Sequence, residues 1–228
     1  MLRGHRTLAV RATILAIGVL LLCLMWVYVL YQSRTERTQA LANATRDTSN
    51  LVIAYEEQTQ RTLAAIEQSL NFLKADYERD PEAFEIHRAF DRATGLKDIA
   101  IQLSLIGPDG VMLASSLEST PTSVDLSDRE HYRVHVASDS GTIFISRPLR
   151  GRISGRTSIN ISRRLNGPGG WFAGVLVLSF DPATLVRLYE NVDLGDHGEM
   201  LLIGLDGVTR AVASRAKNGI GDDVSGSA

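Results

Sequence analysis

Four side chains that suit the binding of a small ligand lie close together in the sequence: Arg129, His131, Tyr132 and His135. On a helix, a spacing of three puts Arg129 and Tyr132 on one face, and a spacing of four does the same for the two histidines. A guanidinium offers a planar set of donors to a carboxylate or phosphate, and tyrosine adds an aromatic wall with a polar tip. We therefore predict that Arg129, His131 and Tyr132 contact a ligand. Alternatively, Tyr132 is a core residue and Arg129 is a solvated one.

The two histidines also have the spacing of a metal-binding pair, but the segment HYRVH lacks the glutamate of the known zinc motif. A third ligand would have to come from His197 with Asp193 or Asp196. We predict no metal site and keep pH sensing as an alternative role, because imidazole titrates near neutral pH. Since the sequence has no Walker loop, no Gly-x-Ser-x-Gly and no dinucleotide fingerprint, we expect neither an enzyme nor a cofactor.

A helix and three strands are predicted to position these side chains. The helix should begin near Asp128, with Ser127 or Asp128 as its N-cap, and run to Ala137. The strands should span residues 142–148, 155–165 and 171–180. The turn NGPGG separates the last two strands.

The middle strand alternates apolar and polar residues, with Ile159 and Ile161 on one face. The last strand is apolar almost throughout, as expected of a strand buried on both faces. A helix beside an antiparallel sheet with one polar face predicts a pocket. We assign polar side chains of the three strands to its wall: Arg147, Arg156, Ser158, Asn160 and Ser179.

Three segments of this region resemble the membrane-distal module of double-Cache sensor domains: DLSDREHYRVH, IFISRPLRGRISGRTSINISRRL and FAGVLVLSFDPATLVRLY. Those are PAS-like extracytoplasmic domains of bacterial chemoreceptors, histidine kinases and diguanylate cyclases. The resemblance covers about residues 35–215 and implies a signal-transduction receptor of the bacterial inner membrane with a periplasmic sensor. The segment GRISGRTSINISRRL looks closest to cyclic-di-GMP signalling proteins, which implies a diguanylate cyclase or a histidine kinase as the parent protein.

The amino-acid-sensing branch of that family has Arg, one residue, then Trp-Tyr on this helix, and an Asp on the last strand. Arg129 and Tyr132 match this pattern, whereas His131 stands at the Trp position and Ser179 at the Asp position. The resemblance therefore implies that an α-amino group would lack its counter-charge. A carboxylate or another small anion is favoured as the ligand.

An arginine-only charge run follows the helix, with no acidic residue between Asp139 and Asp181. Its members are Arg147, Arg150, Arg152, Arg156, Arg163 and Arg164. One or two could line an anion pocket, Arg147 and Arg156 being best placed. Alternatively, the run lies along anionic lipid headgroups, or it is a solvated strand surface that discourages edge-to-edge pairing.

The N-terminal part of the chain has the pattern of a membrane anchor. Residues 12–33 contain no charge and are about long enough to cross a bilayer. Arginines precede the span in residues 1–11, but Arg34, Arg37 and Arg46 follow it, so the charges on its two sides nearly balance. Aromatic residues near the far end favour a single-pass helix, and the family resemblance implies that its N-terminus lies in the cytoplasm. A cleavable signal peptide is the alternative. A retained anchor would make the lipid bilayer a partner.

Residues 34–79 contain neither Pro nor Gly and are predicted to form one long stalk helix. Its apolar stripe has spacings of three and four: Val52, Tyr55, Thr59, Leu63, Ile66, Leu70, Leu73 and Tyr77. The stripe could pack on the sheet of the same chain. It could also form the seam of a homodimer, which we predict along part of the helix.

A short internal repeat divides the rest of the chain. The segment Ile106–Val111, IGPDGV, returns as Ile203–Val208, IGLDGV, and each copy is typical of a Gly-bearing hairpin. We predict a membrane-distal module over residues 80–192, opening with a helix from Glu82 to Thr94, and an incomplete second module over 193–228. The remaining tail is polar and Gly-rich, so this chain is expected to be part of a longer receptor.

Together these patterns predict an α+β protein that acts as the extracytoplasmic small-ligand sensor of a membrane-anchored receptor. The net charge of −2 argues against a nucleic-acid partner. The single cysteine, Cys23, lies in the apolar segment, so no disulfide framework is expected. A ligand-free anchored dimerisation scaffold is the alternative function, and a secreted enzyme is a third.

Overall fold

The computed structural model of the chain describes residues 2–93, 97, 99–117, 123–187, 198–214 and 219–226. It divides into two compact units, Met1–Gln58 and Thr59–Ala228. One helix, α1, runs from Leu2 to Arg79. The fold is α+β, as predicted, with the sheet and the remaining helices in the second unit.

The first unit consists of the N-terminal part of α1, which contains the predicted span. From residue 17 onward, this part includes a stretch long and apolar enough to cross a membrane, with a mean hydropathy of 1.5 over its most apolar 18 residues. Its large apolar side chains are exposed, as a helix that faces lipid requires; Leu22, Trp26 and Tyr31 are examples.

The second unit is built on a six-stranded antiparallel sheet. Its strands are β1 (Ala100–Ile106), β2 (Met112–Ser115), β3 (Phe144–Ile145), β4 (Leu149–Arg150), β5 (Thr157–Asn166) and β6 (Phe172–Phe180). The order is β2-β1-β6-β5-β3, and β4 also pairs with β5. A separate hairpin contains β7 (Glu199–Ile203) and β8 (Thr209–Ser214). The short helices are α2 (Ile86–Arg92), α3 (Glu130–Ala137) and α4 (Ala183–Val186).

The period-two alternation of β5 gives the sheet two different faces. Ile159 lines a cavity with Leu63 of α1, whereas Asn160 lines another cavity with His131 of α3. The buried side of α1 includes Ile66, Leu70, Leu73 and Tyr77, which confirms most of the predicted stripe. Hydrogen bonds join α1 to β5 as well: Lys74 Nζ donates to the Arg164 carbonyl at 2.8 Å, and Glu78 accepts from the Asn166 amide at 2.7 Å.

Two helix starts differ from the sequence prediction. Neither Ser127 nor Asp128 caps α3; its N-cap is Arg129, without a side-chain cap, because the Asp128 carboxylate binds a distant arginine. The helix expected from Glu82 begins at Ile86 instead. Asp80 accepts a hydrogen bond from the Ala83 amide at 3.2 Å, and the turn that results delays the helix. The expected stop at Gly95 lies outside the described residues.

Within residues 142–148, where one strand was predicted, the structure has only β3, and a second short strand, β4, follows Pro148. Pro148 has no N–H to donate, so a continuous ladder cannot pass through it. Both short strands pair with β5, at Ile145–Ile161 and Leu149–Ser158. The break changes the direction of this edge of the sheet just before the loop that covers the polar face.

The two copies of the sequence repeat form the same kind of hairpin turn, with matching hydrogen bonds and glycine φ angles. In the first copy, Asp109 accepts from the Val111 amide at 3.0 Å, and Gly110 has a φ of 84°. In the second, Asp206 accepts from the Val208 amide at 3.3 Å, and Gly207 has a φ of 75°.

The similarity extends to the segment that follows each hairpin. Val111 bridges Asp125, and Val208 bridges Asp223 in the same way. The Leu126 amide donates to the Gly110 carbonyl at 2.8 Å, and the Val224 amide donates to the Gly207 carbonyl at 2.9 Å. Residues 219–226, expected to be an unpacked polar tail, therefore fold back onto their hairpin through backbone hydrogen bonds.

Candidate functional site

The candidate site is a small cavity of about 40 Å³ between the polar face of the sheet, α3 and the loop after β4. We call it the polar cavity. Its polar lining residues come from four elements and the covering loop: Gln102 and Ser104 of β1, Arg129 and His131 at α3, Asn160 of β5, Ser179 of β6 and Arg152 of the loop. Register explains how three strands supply one row, since Asn160 pairs with Ser179 and Ser179 pairs with Gln102.

Asn160 is the centre of a buried hydrogen-bond network below this cavity. Its Nδ2 lies 3.3 Å from His131 Nδ1, and its Oδ1 accepts from Ser158 Oγ at 3.3 Å. Its backbone amide donates to Ser146 Oγ at 3.0 Å. With the amide oriented this way, His131 Nδ1 is the acceptor, which places the proton of the neutral ring on Nε2.

Both histidines of α3 are buried and neutral at physiological pH. Burial lowers the pKa of His131 to about 4, helped by Arg129 and His135 and opposed by Asp128. Burial likewise lowers the pKa of His135 to about 4. His135 Nε2 lies 2.9 Å from Ser162 Oγ, so this histidine fastens α3 to β5 and does not line the cavity.

The loop from Gly151 to Gly155 covers the polar cavity. Arg152 reaches across it and makes two hydrogen bonds to Asp128, at 2.8 and 2.7 Å. Arg152 also donates to the Asp125 carbonyl, and Arg129 Nη2 donates to the Arg150 carbonyl at 3.3 Å. The Arg152 contacts tie the loop to the segment just before α3, and the Arg129 contact ties the start of α3 to β4. The hydrogen bond and charge of Arg152 lower the pKa of Asp128.

The structure brings together four of the eight residues that the sequence assigned to ligand binding: Arg129, His131, Asn160 and Ser179. The other four lie elsewhere. Ser158 is buried beneath Asn160, and Arg156 pairs with Asp181 at 2.8 Å. Arg147 lines a different and larger cavity.

Tyr132 points into an apolar cluster and away from the polar cavity. It packs with Ile106, Met112 and Val175, and its ring meets Phe172 edge-on at 5.8 Å. Its hydroxyl donates to the Pro108 carbonyl at 2.8 Å. This placement agrees with the alternative role considered from the sequence, a core residue with a satisfied polar tip.

Sequence reasoning did not include Gln102 or Ser104, and it named Arg152 only as one member of the arginine run. Polar residues alternate with apolar ones at the start of β1, and that signal could have placed Gln102 and Ser104 on the same face as Asn160. Gln102 Nε2 donates to Ser115 Oγ at 2.9 Å, which fixes its orientation. Arg152 carried no comparable signal, because it lies in a loop.

The arginine run forms cross-links within the second unit. Arg147, Arg152 and Arg156 pair with Asp206, Asp128 and Asp181 at distances of 2.7–2.9 Å. Arg163 lies 3.6 Å from Glu67, and Arg164 lies 3.7 Å from Asp139 and stacks on Phe172 at 4.8 Å. All these acidic partners lie outside the run in sequence.

Among the residues that the structure describes, no group of three or more His, Cys, Asp or Glu side chains could hold a metal ion. The residues considered from the sequence as further metal ligands, Asp193, Asp196 and His197, lie outside the described part of the chain.

No family model and no curated protein matches this sequence. Solved structures do. The extracellular domain of rpHK1S-Z16, assigned as a histidine kinase, has 25% identity and a TM-score of 0.70 over 79% of this chain and 76% of that one. This chain has the Cache-like fold of extracellular sensor domains. The fold family expected from the sequence is thus confirmed.

Two chemoreceptor ligand-binding domains share this Cache-like fold at lower identity. That of Pseudomonas fluorescens CtaA, solved with L-alanine, has 16% identity and a TM-score of 0.60 over 78% of this chain and 75% of that one. That of Campylobacter jejuni Tlp3, solved with 4-methylisoleucine, has 14% identity and a TM-score of 0.60 over 77% and 74%. These structural neighbours are sensor domains and not catalytic ones.

Proposed function

We propose that the chain is the extracellular small-ligand sensor of a single-pass membrane receptor, with its ligand bound in the polar cavity. The observation that carries the proposal is a buried row of hydrogen-bonding side chains that faces two arginines. The row contains Gln102, Asn160 and Ser179, and the arginines are Arg129 and Arg152. Buried polar groups on a sheet face add little to folding stability, so their convergence on one cavity favours recognition.

The charge of the polar cavity favours an anion. Its lining includes Arg129 and Arg152, and since Arg152 is already paired with Asp128, Arg129 is the arginine proposed to meet an anion. Ser179 provides a hydroxyl where an amine-binding site would need a carboxylate. A small organic carboxylate is therefore the proposed ligand class, with the guanidinium of Arg129 as its main partner.

The size of the polar cavity sets a further condition. A volume of about 40 Å³ holds about one to three waters and is small for an organic anion. A larger ligand requires the Gly151–Gly155 loop to lift, which would break the Arg152–Asp128 pair. We therefore propose that a bound ligand displaces the loop, and that ligand size decides whether the loop can pack down again.

Thermal unfolding of the full chain in lipid nanodiscs tests the proposal. The probes are acetate, pyruvate and L-alanine, each titrated at constant ionic strength. We expect a carboxylate to raise the melting temperature in proportion to the logarithm of its concentration, and Arg129→Gln to abolish the rise. Arg79→Gln, an exposed arginine of α1 paired only along the helix, is the control. Stabilisation by L-alanine alone would contradict the anion assignment.

A ligand-free anchored scaffold is the second candidate, and the small size of the polar cavity favours it. Tyr132 also faces the core and so offers nothing to a ligand. In that case, no probe would stabilise wild type, and Arg129→Gln would affect only folding. A carboxylate-dependent shift that requires Arg129 would exclude the scaffold as the sole function.

The parent protein, the membrane and the oligomer complete the proposal. An output domain of the diguanylate cyclase or histidine kinase class would lie beyond these residues, with the bilayer crossed by the apolar part of α1. A homodimer along residues 34–79 would let a shift of one stalk helix reach the inner face of the membrane. Disulfide cross-linking of single cysteines placed along 34–58 in a Cys23→Ser background tests the dimer.

A further inference from the structure

A second cavity, of about 520 Å³, lies between the six-stranded sheet and the β7–β8 hairpin. We call it the hairpin cavity. It is bounded by Leu63 of α1, Ile159 and Phe180 of the sheet, and Leu202 of β7. Its lining is predominantly apolar, and its volume is in the range of small-molecule sites, about 300–1,000 Å³. None of its lining residues belongs to the polar cavity.

One buried polar atom in the hairpin cavity has no partner. Thr59 is 8% exposed and lines the cavity, and its Oγ1 makes no hydrogen bond. Other threonines of α1 behave differently: Thr35, Thr38 and Thr45 each donate to the carbonyl four residues earlier, at 2.9–3.0 Å. A buried hydroxyl without a partner is costly, so a rotation of the Thr59 side chain that turned Oγ1 into the cavity would let a ligand satisfy it.

A cluster of three charged side chains forms the polar edge of the hairpin cavity. Arg147 Nε donates to Asp206 Oδ2 at 2.9 Å, and Arg210 Nη2 lies 3.1 Å from the same carboxylate. Two guanidiniums share the Asp206 carboxylate, and Asp223 lies close enough to Arg147 for the arginine to lower the pKa of Asp223. Glu130 also lines the cavity, but its side chain is exposed to solvent, where its charge is screened.

We propose that the hairpin cavity binds a small amphipathic carboxylic acid, with its apolar body between sheet and hairpin and its carboxylate at Arg147 and Arg210. The Thr59 hydroxyl donates to an oxygen of the same ligand. Such a ligand would touch the sheet, α1 and the second hairpin at once. It would therefore strengthen the link between the six-stranded sheet and the β7–β8 hairpin, which the Arg147–Asp206 pair already makes. This site is separate in place and chemistry from the polar cavity.

Binding of 4-phenylbutyrate to the full chain in lipid nanodiscs tests this proposal, measured by equilibrium dialysis with empty nanodiscs as the blank. The matched probes 4-phenylbutanamide and 4-phenylbutylamine keep the apolar body and change only the head group. We expect the acid to bind more tightly than the amide or the amine. Equal or tighter binding of the amide or amine would overturn the carboxylate assignment. Tighter binding of the amine would identify Glu130 as the residue that contacts the head group of the ligand.

Two variants locate the site. Thr59→Val keeps the shape and removes the hydroxyl, and we expect it to weaken binding of the acid roughly three- to tenfold. Arg147→Gln removes one of the two guanidiniums that would meet the ligand's carboxylate and should weaken its binding by about the same factor. Arg79→Gln should have no effect, since Arg79 is exposed and remote from the lining. Because the three variants share one lipid environment, partition into the bilayer cannot explain a difference among them.

The outcomes separate this inference from the proposed function. Absence of 4-phenylbutyrate binding to wild type, or binding that neither Thr59→Val nor Arg147→Gln weakens, overturns the hairpin-cavity site. Acetate or pyruvate stabilisation that depends on Arg129 would then still stand by itself. Conversely, binding of 4-phenylbutyrate that requires Thr59 supports the second site even if the polar cavity accepts no anion.

Discussion

Arg152 and Asp128 form a two-pronged ion pair, with guanidinium-to-carboxylate distances of 2.8 and 2.7 Å, across the mouth of the polar cavity. Arg152 is the only charged residue of the Gly151–Gly155 loop, and Asp128 lies just before α3. This one contact therefore ties the loop to the helix that carries Arg129 and His131. It also explains why Asp128 does not cap α3, since its carboxylate oxygens already have partners.

Asp128→Asn should free the loop. The amide cannot form the charge-assisted fork, so amide hydrogen exchange across residues 151–156 should become faster while the rest of the sheet is unchanged. Hydrogen-exchange mass spectrometry of the full chain measures this. Glu85→Gln, which removes an exposed ion pair with Arg88 on α2, is the control and should leave the loop as it was. Unchanged exchange in Asp128→Asn would show that the pair does not hold the loop.

Tyr132→Phe should cost stability but not ligand affinity. The ring stays in its apolar cluster, and only the hydrogen bond to the Pro108 carbonyl is lost, worth about 1 kcal/mol. Thermal unfolding gives the stability change, and titration with the best-bound carboxylate gives the affinity. A tenfold loss of affinity with little change in stability would restore Tyr132 to the ligand contacts first predicted from the sequence.

The two buried histidines should make the second unit less stable in acid. Their pKa values fall from 6.5 to about 4 on folding, so between these pH values the unfolded chain binds more protons. Stability is therefore full above pH 6.5 and declines as the pH falls towards 4, by at most about 1.4 kcal/mol per pH unit for a deeply buried histidine. Melting temperatures between pH 7.5 and 4.5 measure the decline.

His131→Gln separates the contribution of one histidine from general acid denaturation. Glutamine keeps a polar side chain next to Asn160 but does not titrate, so the slope of stability against pH should become shallower. An identical slope in His131→Gln would contradict the burial argument.

The two repeat glycines should respond alike to alanine. Gly110 and Gly207 have positive φ, which costs alanine roughly 1–2 kcal/mol, and a Cβ at either would lie 2.6 Å from the Cβ of Ser127 or Ser225. Gly141→Ala has the same backbone strain but meets nothing within 4 Å, so it isolates the steric part. We expect Gly110→Ala to lower the melting temperature more than Gly141→Ala, and Gly207→Ala to loosen its hairpin by hydrogen exchange.

Local patterns in the sequence were enough to predict the α+β class, the long helix and the two faces of β5. Each depends on how often side chains return to the same face of a helix or strand, which the backbone geometry sets. Ile159 and Asn160, as neighbours on a strand, must therefore point to opposite faces of the sheet, whatever the position of the strand in it. The hairpin repeat was visible for the same reason, since the turn at Gly110 and that at Gly207 need the same residue types. Proline at position 148 could have indicated the break between β3 and β4.

Only the tertiary structure decided which side chains meet across elements distant in sequence. Tyr132 and His131 are neighbours on one short helix, yet one enters the apolar cluster and the other the polar network, because α3 crosses the boundary between the two regions of the sheet face. The partners of the arginine run were equally invisible, since Asp128 and Asp206 approach Arg152 and Arg147 only after folding. Periodicity in one segment indicates which face a residue occupies, whereas the packing of several segments decides what that face touches.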